Sequence, residues 1–472
     1  MLKYFADSDL ENLNSDKDDV YVNFPFSSLL TYPFSYVLPL LIGAIMLFLI
    51  LLFFGFSLNK ISVKNSLKRF VPFLISIVLC SGVSFGLWKL LLLIHPQYND
   101  ILQGFTYNGY TYIAAFVLLN LWILLKTYTY FLKEEKIANF LIAPIFIWLI
   151  INSIITGYFK GAGFLIIPVF CALFILAIVI FTDFEAHFKG ILFTILSIPT
   201  IYIFAPLIQM FPVGLGLKNL FISGILIALI FGLMLFSFYQ KKSFWLLKTC
   251  GILTIIFFGY ATYNSGFYIN KKKPNSIVYI QNSDDKTAYF GTYDQVLDSY
   301  TKQIFDETAT KGSIKSAETK SKYNTPFSYY TKTDYKDISS SKIAIDFDTI
   351  INNKRLLELV ITPNRKVNKY EFIANNKVTL QQFKVNDALV NNGKNYMVEK
   401  GTLLIYFMSN SDENLTLSFS ANKDENLDLI LNEISYDLLT NSNFTINPRS
   451  KEMMPMPFVT NDAIIISKKL KL

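Results

Sequence analysis

Histidine is nearly absent from this sequence, whose 472 residues contain only His95 and His187. Zinc hydrolases bind their metal largely through imidazole nitrogens, so two histidines leave few ways of building such a site. Cysteine is also scarce, because only Cys80, Cys171 and Cys250 occur, and all three lie in apolar runs. The sequence after Cys250 therefore has neither a disulfide framework nor a thiolate zinc site.

Charged residues make up only 17% of the chain, whereas 52% of the residues are apolar and the mean hydropathy is +0.38. The charge is unevenly distributed: residues 1–264 hold 16 Lys and Arg with 11 Asp and Glu, and the remainder holds 27 and 24. The first part reads as a membrane domain and the second as a water-soluble domain. No basic stripe with interleaved aromatic residues appears, so the pI near 9.0 does not indicate nucleic-acid binding.

Eight apolar stretches reach the length of about 20 residues that a helix needs to cross a hydrocarbon core. Lipid offers no hydrogen-bond partner to the main chain, so these stretches must be helical. The predicted spans are 36–58, 70–94, 110–131, 137–156, 163–182, 190–211, 219–239 and 243–263.

The short loops between these spans predict the orientation, because Lys and Arg are enriched on the cytoplasmic side. If the loops between the spans are numbered in chain order, the even-numbered ones carry only two basic residues, Lys160 and Lys218. Both termini are therefore predicted on the outer face of an integral membrane protein, in a bacterial inner membrane or on the lumenal side of a eukaryotic one. The nine basic residues of the odd-numbered loops are Lys60, Lys64, Lys68, Arg69, Lys133, Lys136, Lys189, Lys241 and Lys242.

Few polar residues lie within the predicted spans. Lys89 and Lys126 are near span ends, where their ammonium groups can reach the interface. Asn120 and Gln209 favour hydrogen bonding between helices, with a polar path as the alternative. A transporter normally has a carboxylate relay, an arginine ladder or broken helices, and none of these patterns occurs in the spans.

The sequence after the last span predicts short strands separated by turns, which is typical of an antiparallel β-sandwich. Strands are predicted at 276–281 and 286–290, then a helix at 294–305 and a linker over 306–341. Asn392-Gly393 is a tight-turn signal between two of the later strands. These later strands are predicted at 343–350, 355–362, 369–374, 378–385, 395–399, 402–408, 414–420, 427–434 and 463–467.

The predicted fold class is thus an α-helical polytopic membrane domain of eight transmembrane helices, followed by an extracytoplasmic antiparallel β-sandwich. The predicted domains are an outer N-terminal segment at 1–35, the eight spans at 36–263, connecting strands, helix and linker at 264–341, and the sandwich at 342–472.

The residue types give no catalytic, cofactor-binding or metal-binding site. The outer half has no histidine to act as base for its serines. Asp183, Glu185 and His187 have metal-ligand chemistry, but a solvated cytoplasmic loop is the better interpretation. We also expect the glutamates at three isolated positions to be solvated surface residues: Glu371, Glu399 and Glu413.

Three stretches together resemble a known family. They are NSDKDDVYVNFPFSSLLTYP at 14–33, KPNSIVYIQNSDDKTAYFGTYDQVLDSYTKQIF at 273–305, and NPRSKEMMPMPFVTNDAIIISKKLKL at 447–472. In this order around eight spans, they are similar to the membrane-anchored branch of the family M-twenty-eight zinc aminopeptidases, which includes vacuolar membrane proteases and endoplasmic reticulum metallopeptidases. The resemblance covers only the part that follows the peptidase domain in that family.

The zinc ligands of that family have no counterpart in this chain. The family uses a His-x-Asp pair, whereas His95 is followed by Pro-Gln and His187 by Phe-Lys. The one Glu-Glu pair, Glu134-Glu135, falls on a predicted cytoplasmic loop. The resemblance therefore implies a membrane anchor and outer domain that positions a peptidase domain, with zinc only in that absent domain and no activity of the chain alone.

Two other functions stay open at this point: a multi-span transporter or lipid-handling protein, and a scaffold of an envelope complex. The expected partners are the lipid bilayer and a separate or upstream zinc peptidase domain, and no nucleic acid. Residues 1–30 lack a basic start followed by an apolar core. An N-terminus predicted on the outer face without a targeting segment is unusual, and one explanation is that the chain is the later part of something longer.

Overall fold

In a computed structural model of the protein, the described residues are 18–24, 27–131, 138–239, 244–314, 323–410, 413–470 and 472. The chain divides into two compact units. The helical unit comprises Met1–His95 and Gln103–Gly266, and the sheet-rich unit comprises Pro96–Leu102 and Phe267–Leu472.

The helical unit begins with a two-stranded antiparallel hairpin, β1 (Asp19–Phe24) and β2 (Ser27–Pro33). Helices then follow one another with short connections, as the apolar stretches of the sequence predict. Their bounds are α1 Val37–Ser57, α2 Val63–Lys68, α3 Phe70–Ile94, α4 Gly109–Phe131, α5 Ala138–Tyr158, α6 Ile167–Phe181, α7 Ala186–Leu215, α8 Leu220–Leu233, α9 Leu235–Tyr239 and α10 Phe244–Tyr263.

Seven helical segments among the described residues are long and apolar enough to cross a membrane. The stretch predicted as a span at 219–239 differs, because its apolar helix, Leu217–Leu233, is shorter. The chain leaves helical geometry at Met234 and continues as α9. The seven segments are Phe34–Ser57, Val63–Ile94, Gly109–Phe131, Ala138–Tyr158, Lys160–Phe181, His187–Leu215 and Trp245–Tyr263.

The short helix α8 lies at the centre of the helical unit and packs against α3, α4, α5, α6 and α7. A helix that is apolar all round is a buried one, and α8 fits this rule, since Leu220, Ile227 and Phe231 are all buried. Gly224 lets neighbouring helices approach closely: a Cβ there would lie 2.9 Å from the carbonyl oxygen of Cys80 on α3.

The connections before α4 and after α7 meet at the same end of the helical unit. The main-chain N–H of Leu217 donates to the carbonyl oxygen of Gly104 at 2.8 Å. Both Gly104 and Gly216 have positive φ angles, 75° and 84°, which glycine adopts without strain. The first residues of α4 and the last residues of α7 therefore lie at the same end of the helical unit.

The sheet-rich unit contains two large sheets. One has eight strands in the order β14-β10-β16-β18-β4-β5-β7-β6, and the other has six, with the order β12-β11-β15-β9-β8 and β13 paired to β11. The small strands β3 and β17 form a separate pair. The strands are β3 Lys273–Asn275, β4 Val278–Asn282, β5 Thr287–Thr292, β6 Thr310–Lys311, β7 Tyr329–Thr333, β8 Lys342–Ile351, β9 Lys354–Thr362, β10 Lys369–Ala374, β11 Val378–Val385, β12 Ala388–Leu389, β13 Tyr396–Val398, β14 Gly401–Phe407, β15 Leu415–Asn422, β16 Leu429–Ser435, β17 Met453–Pro455 and β18 Ala463–Leu470.

The core between the two sheets is built from alternate residues of their strands. Leu359 and Leu417 of the six-stranded sheet share one buried cluster with Phe372 and Leu431 of the eight-stranded sheet. Such burial of alternate residues is expected of a strand with one face in the core, because successive side chains point to opposite faces of a sheet. The eight-stranded sheet takes strands from both sides of residue 341, since β4, β5 and β7 join β10 and β16 in it.

The prediction of a purely antiparallel arrangement is wrong. The last strand, β18, pairs in parallel with β4, with Ile464 opposite Tyr279 and Ile466 opposite Gln281. The pair β3 and β17 is also parallel. A parallel pair needs a long connection between its strands, and here nearly the whole unit separates them in sequence. Local patterns of hydrophobicity do not encode this return.

The helix predicted at 294–305 is not formed. The segment after β5 consists of turns with one short 3-10 turn, Thr301–Gln303. The Asp298 carboxylate accepts hydrogen bonds from the N–H groups of Tyr300 and Thr301, both at 3.0 Å. Aspartate side chains that bond to nearby main-chain donors compete with a helix, which explains why the apolar spacing was misleading.

Candidate functional site

A group of buried charged side chains lies in the sheet-rich unit, and we call it the buried acidic cluster. It consists of Asp100, Lys273, Asp294 and Asp298. Lys273 begins β3, the two later aspartates belong to the turns after β5, and Asp100 ends the 3-10 segment Pro96–Asp100. Residues nearly 200 positions apart are thus brought together by the fold rather than by any local motif.

Lys273 is the central cation of the buried acidic cluster. Its Nζ donates to Asp298 Oδ2 at 2.9 Å and to the carbonyl oxygen of Val296 at 2.7 Å, and it lies 3.6 Å from Asp100 Oδ2. The side chain of Lys273 is 10% exposed, and that of Asp100 is fully buried. One ammonium group thus compensates several carboxylates in a poorly solvated place, where Coulomb interactions are strong.

Asp294 is fully buried and hydrogen-bonded on one side only. Its Oδ1 accepts hydrogen bonds from Ser276 N at 2.8 Å, Ser276 Oγ at 2.7 Å and Thr292 Oγ1 at 2.9 Å. Its Oδ2 has no hydrogen-bond partner among the described residues. Burial, reinforced by the charge of Asp100, raises the pKa of Asp294 to about 7, although the bonds from Ser276 oppose this rise.

The pKa values of the two other carboxyl groups in the cluster are shifted in opposite directions. Burial raises the pKa of Asp100 to about 6, while Lys273 and the main-chain N–H of Gln295, at 2.6 Å from Asp100 Oδ1, counteract it. Burial also favours a higher pKa at Asp298, but hydrogen bonds from Lys273 and Thr301 outweigh it and hold that pKa below its ordinary value. Asp100 and Asp294 are therefore the carboxyl groups of the cluster whose pKa values lie nearest to neutral pH.

A second network adjoins the cluster and is centred on Arg449. The guanidinium group makes two hydrogen bonds to Asp462, at 2.7 and 2.6 Å, and its Nε donates to Asn275 Oδ1 at 2.5 Å. It also lies over the ring of Tyr300, 4.4 Å from the centroid. Asn275 connects the two networks, because its Nδ2 donates to Asp298 Oδ2 at 3.2 Å.

The Arg449 network brings two distant sequence stretches together. Asn461 Nδ2 donates to the carbonyl oxygen of Asn275 at 2.9 Å, and Asn461 Oδ1 accepts from the N–H of Ile277 at 3.1 Å. The stretches 273–305 and 447–472, both singled out in the sequence, therefore form one structural element through side-chain bonds and the two parallel strand pairs.

Replacing Arg449 by lysine should destabilise this part of the sheet-rich unit by about 1–3 kcal/mol, because lysine cannot make the paired bonds to Asp462. Hydrogen exchange of peptides covering β3 and β17 would measure the loss. Arg355→Lys is a matched control, since Arg355 pairs with Asp348 at a more exposed place on β8 and β9. Equal protection in both variants would contradict the structural role of Arg449.

The buried acidic cluster has the features of a structural element that contains a titratable carboxyl group, rather than those of a catalytic site. Asp100, Ser276 and Asp294 are fully buried, so no substrate reaches them in this conformation. The Ser276 hydroxyl donates to a carboxylate, not to a histidine, and the sheet-rich unit contains no histidine. The arrangement therefore lacks the base of a nucleophilic hydrolase.

Sequence reasoning did not identify this cluster. Lys273 lies in a run of three lysines, 271–273, that gives no sign of a buried cation, and Asp294 is the first residue of the helix predicted at 294–305. Asp100 lies in a short loop between two apolar stretches, where a single carboxylate gives no signal. The one usable sign was the density of Asp residues after β5, which is typical of turns that bond to the main chain.

The glutamates named in the sequence analysis have different environments. Glu399 and Glu413 are exposed, as predicted, and Glu399 pairs with Lys377 at 2.9 Å. The prediction for Glu371 is wrong, because this residue is buried and pairs with Lys369 at 2.7 Å. Its strand, β10, is paired along both edges with β14 and β16, and Tyr370 and Glu371, which lie on opposite faces of the strand, are both buried.

The loop with metal-ligand chemistry is exposed. Asp183, Glu185 and His187 all have exposed side chains, and Asp183 pairs with Lys60 at 3.3 Å. No group of three or more His, Cys, Asp or Glu side chains in the described part of the chain is arranged to hold a metal ion. The pair Glu134-Glu135 lies outside the described residues.

The polar residues of the predicted spans have different surroundings in the structure. Asn120 donates to Ser84 Oγ at 3.0 Å, so the predicted hydrogen bond between helices is observed. Lys126 lies over the ring of Trp122, and Lys89 over that of Phe85. Gln209 instead has an exposed side chain with no hydrogen-bond partner among the described residues.

Comparison with known proteins gives no further assignment. No protein-family model matches the chain, and no curated protein is significantly similar to it. The class that the fold defines is therefore a helical unit with seven apolar segments of membrane-spanning length, followed by a sheet-rich domain.

Proposed function

We propose that this chain is the membrane-embedded anchor and outer domain of a zinc aminopeptidase-like assembly, and that it positions a peptidase domain at the outer membrane face. In this proposal the helical unit crosses the bilayer and the sheet-rich unit is a β-sandwich outside the cytoplasm. The chain supplies no catalytic residue itself, and the peptidase is a separate or preceding domain.

The observation that supports this proposal most directly is the joining of the stretches 273–305 and 447–472. These two stretches carry the resemblance to the peptidase family, and they meet in one network around Asn275 and Arg449. A shared structural element is a physical reason for both stretches to occur together in one chain. The seven long apolar segments support membrane insertion by their length and composition.

The residues of this chain do not fit the family's zinc site. That site needs a His-x-Asp pair and a second histidine, and neither His95 nor His187 lies in the sheet-rich unit. We therefore expect the purified chain to bind less than one zinc ion per molecule and to release no amino acid from aminoacyl-coumarin substrates. Elemental analysis and a fluorescence assay measure these two quantities, and two zinc ions per chain would contradict the proposal.

The orientation is tested by cysteine labelling in intact cells. In a background with Cys80, Cys171 and Cys250 replaced, Asp285→Cys should react with a membrane-impermeant maleimide, because the sheet-rich unit is proposed to face outward. Lys64→Cys is the matched control and should react only after permeabilisation, since Lys64 lies between the first two predicted spans, in a stretch whose basic residues are typical of the cytoplasmic side. The opposite pattern would reverse the proposed topology.

A further inference from the structure

The helical unit carries an apolar groove that we define by two walls and a floor. One wall is α4, the second is α7, and the floor is formed by α8 with the residue that follows it. The groove has a volume of about 430 Å³ and is open on one side. This volume lies within the range of pockets that hold small ligands, about 300–1,000 Å³.

Small residues make the room in the groove. Ala114 on α4 and Ala205 on α7 both line it, where larger side chains would fill the space. The floor is formed by three side chains that are nearly inaccessible, Ile227, Ile230 and Met234. Because α8 packs against both α4 and α7, it holds the two walls apart. The groove is thus built into the packing of the helices.

The polarity of the groove changes along its length. Tyr110, the second residue of α4, and Gln209, near the end of α7, are its polar lining residues. They lie toward the end of the helical unit where Gly104 and Leu217 are hydrogen-bonded. Toward the other end, the lining from Leu121 and Phe238 is apolar. Gln209 is therefore an exposed side chain, without a hydrogen-bond partner among the described residues, at one end of an otherwise apolar groove.

The length of the groove matches one leaflet of a bilayer. Tyr110 and Leu121 are eleven residues apart on α4, which corresponds to about 16 Å at 1.5 Å per residue. The hydrocarbon core of a bilayer is about 30 Å thick, so one leaflet contributes about 15 Å. A chain that enters at Tyr110 and Gln209 and reaches Leu121 would extend to the middle of the membrane.

We propose that this groove binds one acyl chain of a bilayer glycerophospholipid, with the ester carbonyl accepting a hydrogen bond from the Gln209 amide. This inference rests on the proposed membrane insertion, because only then is the groove surrounded by hydrocarbon. The groove excludes water along its apolar length, and the amide gains a partner that lipid tails do not offer. The bound lipid differs from the surrounding lipid by this hydrogen bond and by contact on three sides.

The test uses the full chain in membranes that contain a phospholipid with a photoactivatable diazirine in one acyl chain. After illumination, mass spectrometry maps the labelled peptides. Labelling in the peptides around Ala114 and Ala205 is expected to exceed labelling around Val78 by about fivefold or more, the factor that one hydrogen bond supplies. Val78 lies on α3 and is 66% exposed, so it reports ordinary contact with lipid.

Two variants separate a specific site from general lipid contact. Ala205→Trp fills the groove, and Gln209→Leu removes only the hydrogen-bonding group; each should lower groove labelling about fivefold. Val78→Trp is the matched control for added bulk and should leave groove labelling unchanged. Equal labelling of groove and α3 peptides in the wild type, or unchanged labelling in Gln209→Leu, would overturn the inference.

Alkaline carbonate extraction of the same membranes distinguishes this failure from that of the proposed function. If the chain stays in the membrane fraction without enriched groove labelling, only the lipid site is wrong. If the chain is released by carbonate, membrane insertion fails and the lipid site fails with it.

Discussion

Replacing Lys273 by methionine is expected to destabilise the sheet-rich unit by about 3–5 kcal/mol, because the change leaves buried carboxylates without their cation. Lys273 Nζ is bonded to Asp298 at 2.9 Å and lies 3.6 Å from Asp100. Methionine retains much of the length of the lysine side chain, so most of the loss comes from the missing charge. The expected result is one of the largest effects of any single substitution in this unit.

The readout must be specific to the sheet-rich unit. All four tryptophans, Trp88, Trp122, Trp148 and Trp245, lie in the helical unit, so tryptophan fluorescence reports the wrong part of the chain. Hydrogen exchange of peptides from β4 and β18 in detergent-solubilised protein reports the eight-stranded sheet directly.

The matched control for this substitution is Lys377→Met. Lys377 pairs with Glu399 at 2.9 Å, the same kind of ion pair, but its side chain is 57% exposed. Exposed ion pairs contribute little, so this variant should change the stability by less than about 1 kcal/mol. A similar small effect for Lys273→Met would show that the buried cluster does not stabilise the unit.

The second large effect is a loss of stability of the sheet-rich unit as the pH rises from about 5.5 to 8. Burial in the folded state raises the pKa of Asp294 to about 7 and that of Asp100 to about 6, from the ordinary value of 3.8. Between pH 4 and 7 the folded state therefore binds protons that the unfolded state has released. This contribution is complete at low pH and is lost as the pH passes through the folded pKa values.

The expected size of the pH effect follows from the pKa of Asp294. One pKa unit corresponds to about 1.4 kcal/mol, so the stability should fall by about 2 kcal/mol between pH 5.5 and 8. Histidines do not contribute, because the sheet-rich unit has none. The buried Glu433, whose pKa burial also raises, titrates in the same direction and must be separated from Asp294.

Asp294→Asn provides this separation. Asparagine resembles the protonated carboxyl group, so the variant should hold at pH 8 most of the stability that the wild type has at pH 5.5. Asp346→Asn, at an exposed position on β8, is the control and should keep the wild-type dependence on pH. Hydrogen exchange of β4 and β18, corrected for the intrinsic effect of pH on exchange, measures both. If the stability of Asp294→Asn fell with rising pH as steeply as that of the wild type, Asp294 would be excluded as the source of the pH dependence.

Much of the secondary structure follows from sequence patterns alone. The strands β10 and β11 were predicted with the bounds that they have, 369–374 and 378–385, because their hydrophobic runs end at turn residues. The long apolar stretches likewise predicted helices, since length and hydropathy are local properties. The stretch 219–239 was harder, because its apolar residues cover a helix that is buried among others rather than a long span.

The helix expected at 294–305 shows the limit of such patterns. Val296, Leu297 and Tyr300 have helical spacing, yet the carboxylate of Asp298 bonds to the main chain in turns. The hydrophobic period was present, but side-chain bonds to the backbone competed with the helix. Asp294 belonged to the same segment, and the misassigned helix concealed it.

The sequence by itself determined the division of this protein into an apolar helical part and a polar strand-rich part, because hydropathy and periodicity are read from neighbouring residues. Only the tertiary structure decided which charges are buried together. Asp100 meets Lys273, and β18 returns to lie beside β4, through contacts between residues about 170 to 190 positions apart. Likewise, Gln209 lines an apolar groove because of how three helices pack. Burial depends on what covers a residue, and the covering elements come from distant parts of the chain.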